Sequence, residues 1–404
     1  MLKIDTLKNL IILFSSIIIC LLILEILCRL FFTLPIPNNI EEAEKAGLIY
    51  DKRSKFQVIN ELRKKEKNIF PATYPIEWLK EEVREYEKIF PLSGLSYGKS
   101  VYCNENGNWS VLPNDIYGFN NPPEIYNKKI DVVILGDSFA RGACLKIENS
   151  TAGYIRNYTN FNTTALANGG GPLIELATFI EYAANIKPKY VFWFFYEGND
   201  HENLLEEKNI PILMKYLDSN YEQNLILKQN EINAKIFNYL KKKEEEYLKN
   251  NLDELIITKV KDPKINKTKI IFFKIKDFLL LTRTKHMINV KVFNKKYSHH
   301  KYDSDLLKRI LKKVKNISEK NNIEFYFVYI PTWQRNAFNL NDSYLHRDKL
   351  LKDINKLKIN VIDLQLTLNN KDDPLFYYTF RKNNHFNKEG YKLIAKEMEK
   401  FLIK

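Results

Sequence analysis

Three residues spread along this 404-residue chain could together carry out acyl transfer. Ser138 closes the run Asp131-Val-Val-Ile-Leu-Gly-Asp-Ser-Phe139, Asn199 follows the run Val191-Phe-Trp-Phe-Phe-Tyr196, and His385 stands in Asn384-His-Phe-Asn387. A serine hydroxyl is a weak nucleophile at neutral pH and needs a base within hydrogen-bond reach, a role open to His385. The oxyanion it creates needs preorganised donors. Three are at hand: the Ser138 N–H at a strand-to-helix turn, a glycine N–H from Asn168-Gly-Gly-Gly-Pro172, and the Asn199 side-chain amide. Asp137 and Asp200 are expected to support the turns by accepting backbone N–H groups. His201, beside Asp200, is a rival base, and Glu197 reads as a loop carboxylate. His286, His299, His300 and His346 show no ligand spacing, so no metal or cofactor is expected.

Such residues need a scaffold that brings distant segments to one edge. Apolar strand candidates at 131–136, 164–168, 190–196, 323–330 and 359–363 alternate with helical stretches. This predicts an α/β fold, a parallel sheet of about five strands with helices on both faces. The flavodoxin-like order would put Ser138 at the switch point, where ligands bind. The sheet segments are 131–202 and 301–404. Residues 203–300 break the rhythm and read as a helical insertion, with charged runs such as Leu240-Lys-Lys-Lys-Glu-Glu-Glu246 and an amphipathic stretch at 270–281 suited to a cap or a membrane surface. Residues 35–130 read as a helical stalk followed by an Asn-, Gly- and Pro-rich lead-in.

The N-terminus has a different solvent in view. Residues 10–34 are almost wholly apolar apart from Glu25 and Arg29, enough to span a bilayer as one transmembrane helix. Those two are four apart and can neutralise each other on one helix face. Lys3 and Lys8 lie in or border the 1–9 tail, and Glu41, Glu42 and Glu44 follow the span, so the N-terminus is expected in the cytoplasm and the remainder outside. In an oxidising compartment Cys103 and Cys144 are expected to form a disulfide pinning the lead-in over the mouth of the site. The net charge of +14 comes with no basic helix, zinc-finger spacing or aromatic RNA-binding motif, which argues against nucleic acid as a partner.

Gly136-Asp-Ser-Phe139, Gly169-Gly-Gly171, Gly198-Asn-Asp200 and His385, in that order, resemble the four blocks of the SGNH (GDSL-type) hydrolases. The flanking Tyr117-Gly-Phe-Asn-Asn-Pro122, Gly142-Ala-Cys144 and Tyr196-Glu-Gly-Asn-Asp200 resemble a membrane-anchored bacterial subset of that family. The resemblance implies a flavodoxin-like fold and metal-free ester hydrolysis or acyl transfer, with Ser138, Gly169, Asn199 and His385 as the named residues. It points to an acyl-ester substrate such as O-acetyl groups on cell-envelope glycan. One position departs from the pattern. The aspartate usual three residues before the histidine is Lys382 here, and the next residue is Asn383. A Ser–His dyad, or Asp372 or Asp373 in its place, could serve; Arg381 could face an anionic substrate. The missing aspartate also leaves open a catalytically silent binding or assembly protein of the same fold, beside the esterase and the O-acyltransferase.

Overall fold

The structure is a computed structural model that describes residues 4–31, 38–79, 89–218, 220–250, 275–276, 278–281, 284–285, 287–288 and 301–402. Two compact units divide the chain, residues 1–35 with 244–299 and residues 36–243 with 300–404.

In the larger unit a small sheet pairs β1 (Ile69–Pro71) parallel to β2 (Lys99–Val101), which runs antiparallel to β3 (Val111–Pro113). The main sheet comprises β4 (Val132–Leu135), β5 (Thr163–Leu166), β6 (Tyr190–Tyr196), β7 (Glu324–Ile330) and β8 (Asn360–Asp363). Its order is β5-β4-β6-β7-β8 and every pairing is parallel. This is the doubly wound order expected from the sequence, with β4 at the switch point.

Near-continuous apolar strands are what two covered faces require. Successive side chains point to opposite faces. Val133, Leu135, Val191, Trp193, Phe195 and Phe327 bury against one helical layer; Val132, Ile134, Phe192, Phe194, Val328 and Ile330 bury against the other. The helices Thr151–Tyr158 and Lys388–Leu402 form the second layer, so the C-terminal helix holds the segment just before it, His385 included, against the sheet.

The helix Gln229–Asn250 shows where charge misleads. Its surface is rich in Lys and Glu, yet Ile232, Ile236 and Leu240 share one face and are buried in the first core layer. Residues 229–243 therefore belong to the larger unit rather than to a separate cap or membrane-surface insertion. The expected stalk is likewise integrated: Trp78 is buried in the same layer and meets Tyr239 edge-on.

The smaller unit contains the helix Ile4–Phe31, of which Lys8–Leu30 is long and apolar enough to cross a membrane. Glu25 and Arg29 do pair, at 3.0 Å. Glu25 also accepts hydrogen bonds from the Thr284 N–H and hydroxyl, both at 2.8 Å, and Arg29 lies over the Phe278 ring. Thr284, just past the amphipathic stretch, thus satisfies the buried Glu25, and Phe278 within that stretch lies against Arg29.

If Ile236 is a core residue, Ile236→Ala should cost about 2–4 kcal/mol. A guanidinium titration of the full-length protein measures this; a change near zero would return the 229–243 helix to the status of an independent cap.

Candidate active site

β4 ends in Gly136-Asp137, and Asp137 caps the short helix Ser138–Arg141 by accepting the Phe139 N–H at 2.9 Å. That turn leaves Ser138 half-buried at the sheet edge. Gly136 there has φ +139° and a Cβ would lie 2.9 Å from the Phe194 carbonyl, so only glycine fits. The Ser138 Oγ lies 2.8 Å from His385 Nε2.

The group that orients the imidazole is Glu105. Its Oε1 lies 2.7 Å from His385 Nδ1 and its Oε2 accepts the His385 backbone N–H at 2.9 Å. Burial raises the Glu105 carboxyl pKa, but the neighbouring His385 and the two hydrogen bonds from it outweigh that, and the net effect is to hold it below 4.5. An ionised carboxylate only accepts, so Nδ1 carries the proton and Nε2 presents its lone pair to Ser138.

Glu105 reaches this place because its loop is held on several sides. Cys103 and Cys144 are joined by a disulfide, tying the loop to the segment just after the Ser138 helix. The Asn106 side chain donates to the Cys144 carbonyl at 3.1 Å and the Ser110 hydroxyl to the Leu145 carbonyl at 2.8 Å. On the other flank the Tyr50 hydroxyl donates to the Asn104 carbonyl at 2.7 Å, and the Asn104 amide to the Asp51 carbonyl at 2.9 Å. A bridge with a sequence separation of 41 removes about 4 kcal/mol of denatured-chain entropy in the chain-entropy picture.

The sequence reading missed Glu105, although a signal was present. Cys144 lies six residues after Ser138, and Glu105 is the only carboxylate between Cys103 and Asp115. A bridge between the cysteines puts that carboxylate beside the serine. The alternatives are otherwise engaged: Asp373 binds Arg381, with Arg381 Nη2 to Oδ1 at 2.9 Å, and Lys382 sits 3.6 Å from Glu42. Arg381 is therefore already paired with a carboxylate of its own chain. His201 is buried against Phe195, Tyr302 and His346. His286, His299 and His300 lie outside the described residues.

The remaining residues singled out from the sequence fall as follows. Asn199 Nδ2 lies 3.3 Å from Asp137 Oδ2, while its Oδ1 is buried without a partner. Gly169 follows β5 with φ +84°, and a Cβ there would come 3.2 Å from Tyr74 Cδ1. Asp200 accepts the Tyr196 N–H at 2.7 Å. Burial first, then Asp137 and Glu207, push the Asp200 pKa well up; Glu207, which accepts the N–H groups of Gly171, Leu173 and Ile174, is pushed up to about 8, again first by burial. Glu197 is more than a loop carboxylate: it is fully buried and paired with Arg335 at 2.6 Å, and it accepts the Thr332 N–H at 2.8 Å. Glu105, Cys144 and His385 are close enough to suggest metal ligands, but Cys144 is committed to the disulfide.

No protein-family profile matches the chain, and no curated protein sequence matches it. Among solved structures it is similar to one assigned as a lipolytic protein of the G-D-S-L family from Desulfitobacterium hafniense, at 14% identity and a TM-score of 0.35, over 67% of this chain and 98% of that one. It is also similar to an acetyl xylan esterase, at 13% identity and a TM-score of 0.33, over 68% of this chain and 100% of that one. A third is assigned as an acylhydrolase from Bacteroides fragilis, at 11% identity and a TM-score of 0.34, over 68% of this chain and 87% of that one. At these TM-scores the likeness carries no argument about chemistry, which rests on the distances above.

Glu105→Gln should leave the fold intact and slow ester turnover by about 10²–10⁴-fold, the scale of losing tautomer control in a serine triad. Turnover within threefold of wild type would remove Glu105 from the site. A lowered folded-state pKa stabilises above the unfolded value and loses that effect as pH falls through the folded value. Wild type should therefore melt above Glu105→Gln when the pH exceeds 4.5, and the gap should close on acidification below it. A gap that widens with acid would contradict the ion pair.

Proposed function

We propose that the chain is a membrane-anchored serine esterase of the SGNH type. Ser138 Oγ attacks the ester carbonyl carbon as His385 Nε2 takes its proton, and Glu105 stabilises the imidazolium. The Ser138 and Gly169 N–H groups and the Asn199 amide hold the oxyanion. The C–O bond to the alcohol then breaks, His385 returns the proton to the leaving oxygen, and the acyl group stays on Ser138. Water, activated by His385 in the same way, releases it as the acid. The observation that carries this reading is the line from Ser138 Oγ to His385 Nε2 at 2.8 Å and from His385 Nδ1 to Glu105 at 2.7 Å. Glu105 also supplies the acid whose absence motivates a silent binding protein.

The substrate class is an acyl ester such as an O-acetyl group on cell-envelope glycan, in keeping with the resemblance of the sequence blocks. A sugar hydroxyl in place of water would make the same machinery an O-acyltransferase. The N-terminal helix anchors the chain, with the tail in the cytoplasm and the catalytic unit outside, periplasmic in a Gram-negative cell. Lys3 and Lys8 before the span and Glu41, Glu42 and Glu44 after it support that orientation, and so does the disulfide.

A fluorophosphonate probe labels only an activated serine. The full-length protein should be labelled at Ser138, and Ser138→Ala and His385→Ala should not be; no labelling of wild type under conditions that label a known serine esterase would sink the esterase. Asn199→Ala should cost about a hundredfold in kcat, the usual scale for one oxyanion donor. A loss below threefold would take Asn199 out of the hole.

A further inference from the structure

Three arginines are buried among the described residues, and two of them are neutralised by carboxylates. Arg335 is paired with Glu197, and Arg347 with Asp342 and Asp363. Arg141 is different. It is 4% exposed, its Nε and Nη1 are buried without a hydrogen-bond partner, and among the described residues no carboxylate pairs with it. Its guanidinium carbon lies over π faces, 4.2 Å from the centre of the Tyr102 ring and 5.5 Å from that of Tyr74. Cation–π contact offsets part of the desolvation of a guanidinium, and an oxyanion would offset far more.

The position is as telling as the missing partner. Arg141 lies one helical turn after Ser138 on the same short helix. Tyr74, under its guanidinium, abuts Gly169, where an added Cβ would lie 3.2 Å from Tyr74 Cδ1. Arg141 thus sits on the Gly169 side of the nucleophile. A second cation is close by. The half-buried Lys55 has its ammonium pKa lowered, first by burial and in smaller part by Arg141, against an opposing pull from Glu77. Asn168, which precedes Gly169, is also buried with neither amide atom partnered. Two buried side chains with unpartnered polar atoms, Arg141 and Asn168, are thus gathered on the Gly169 side of the proposed nucleophile.

We propose that Arg141, assisted by Lys55, forms an anion subsite beside Ser138, so that the preferred ester carries a carboxylate or phosphate group next to its acyl group. This rests on the esterase reading for the location of the scissile ester. Planar N–H donors at Nε and Nη1 with no acceptor among the described residues suit the oxygens of either oxyacid. Arg381 cannot take this part, because it is already held by Asp373.

The test uses full-length protein in detergent micelles and three acetyl esters: an O-acetylated galacturonate oligomer, acetylated glycerol phosphate, and an O-acetylated xylan oligomer as the neutral reference. One of the anionic esters should exceed the neutral one in kcat/KM by tenfold or more, and which one identifies the oxyacid. Arg141→Gln should cut that ratio by about ten- to a hundredfold, the scale of a charged hydrogen bond. Lys55→Ala should move it the same way and carries the test if Arg141→Gln does not fold. Equal kcat/KM for all three esters, or a ratio untouched by the substitutions, overturns the subsite while leaving the esterase standing. If no ester is turned over and Ser138 is not labelled, the esterase reading has failed instead. Calorimetric titration of unacetylated galacturonate oligomer and of glycerol phosphate into Ser138→Ala then decides the subsite. Binding weakened by Lys55→Ala or Arg141→Gln sustains it, and absence of binding overturns it.

Discussion

The contact between Glu105 and His385 constrains the rest of the site. An imidazole can act as a base toward Ser138 only if the proton is kept on Nδ1 and the ring is held in plane with the hydroxyl. Glu105 does both, because one carboxylate oxygen takes Nδ1 and the other takes the backbone N–H of the same residue. The two bonds fix ring and main chain together. The histidine loop is braced from behind as well: the Thr379 N–H donates to the His385 carbonyl at 3.0 Å, Asn384 donates to Asn39 at 2.9 Å, and Phe139 lies against the imidazole at 4.8 Å. A carboxylate on a polar loop can serve only if that loop is as rigid as a strand. The disulfide and the flanking hydrogen bonds of residues 104–110 provide the rigidity.

Charge behind the site is arranged to leave the oxyanion position clear. Asp200 and Glu175 are buried near Asp137 and Glu207 is buried behind the glycine turn, and burial before anything else raises their pKa values. Glu207, at about 8, is largely protonated at neutral pH. A largely protonated Glu207 braces its turn through hydrogen bonds without adding a full negative charge there. The Glu207 carboxyl, for instance, receives the N–H groups that open the helix Pro172–Thr178 just after the glycine turn.

Much of the fold was legible because its central strands are buried on both faces. Runs such as Val132–Leu135 and Tyr190–Tyr196 are apolar throughout, and the observed strands fall within two residues of the expected bounds. Ser138 and Asn199 stood out because each follows such a strand directly. Other features had no local signature. Glu105 is one acid in a polar loop, and its role depends on a bridge to a cysteine far along the chain. Glu197 could not be distinguished from a loop carboxylate, since its partner Arg335 arrives with β7. The helix at 229–250 was misplaced because a narrow Ile232–Ile236–Leu240 stripe is easily overlooked beneath so many lysines and glutamates.

The same logic separates the two arginines that a sequence reader would weigh for an anionic ligand. Arg381 lies four residues before the histidine, and proximity in sequence favours it. Its charge is nonetheless spent on Asp373 at the surface, where an ion pair contributes little and asks for nothing further. Arg141 looks like an ordinary helix residue in the sequence, yet it has been taken out of water with two donor nitrogens unused. Desolvation is costly for a guanidinium, and the fold meets that cost in part with the faces of Tyr74 and Tyr102. A buried cation that no carboxylate among the described residues neutralises, one helical turn from Ser138, is better explained by an anion that arrives with a substrate than by packing, since a neutral side chain would pack against two tyrosines without that cost.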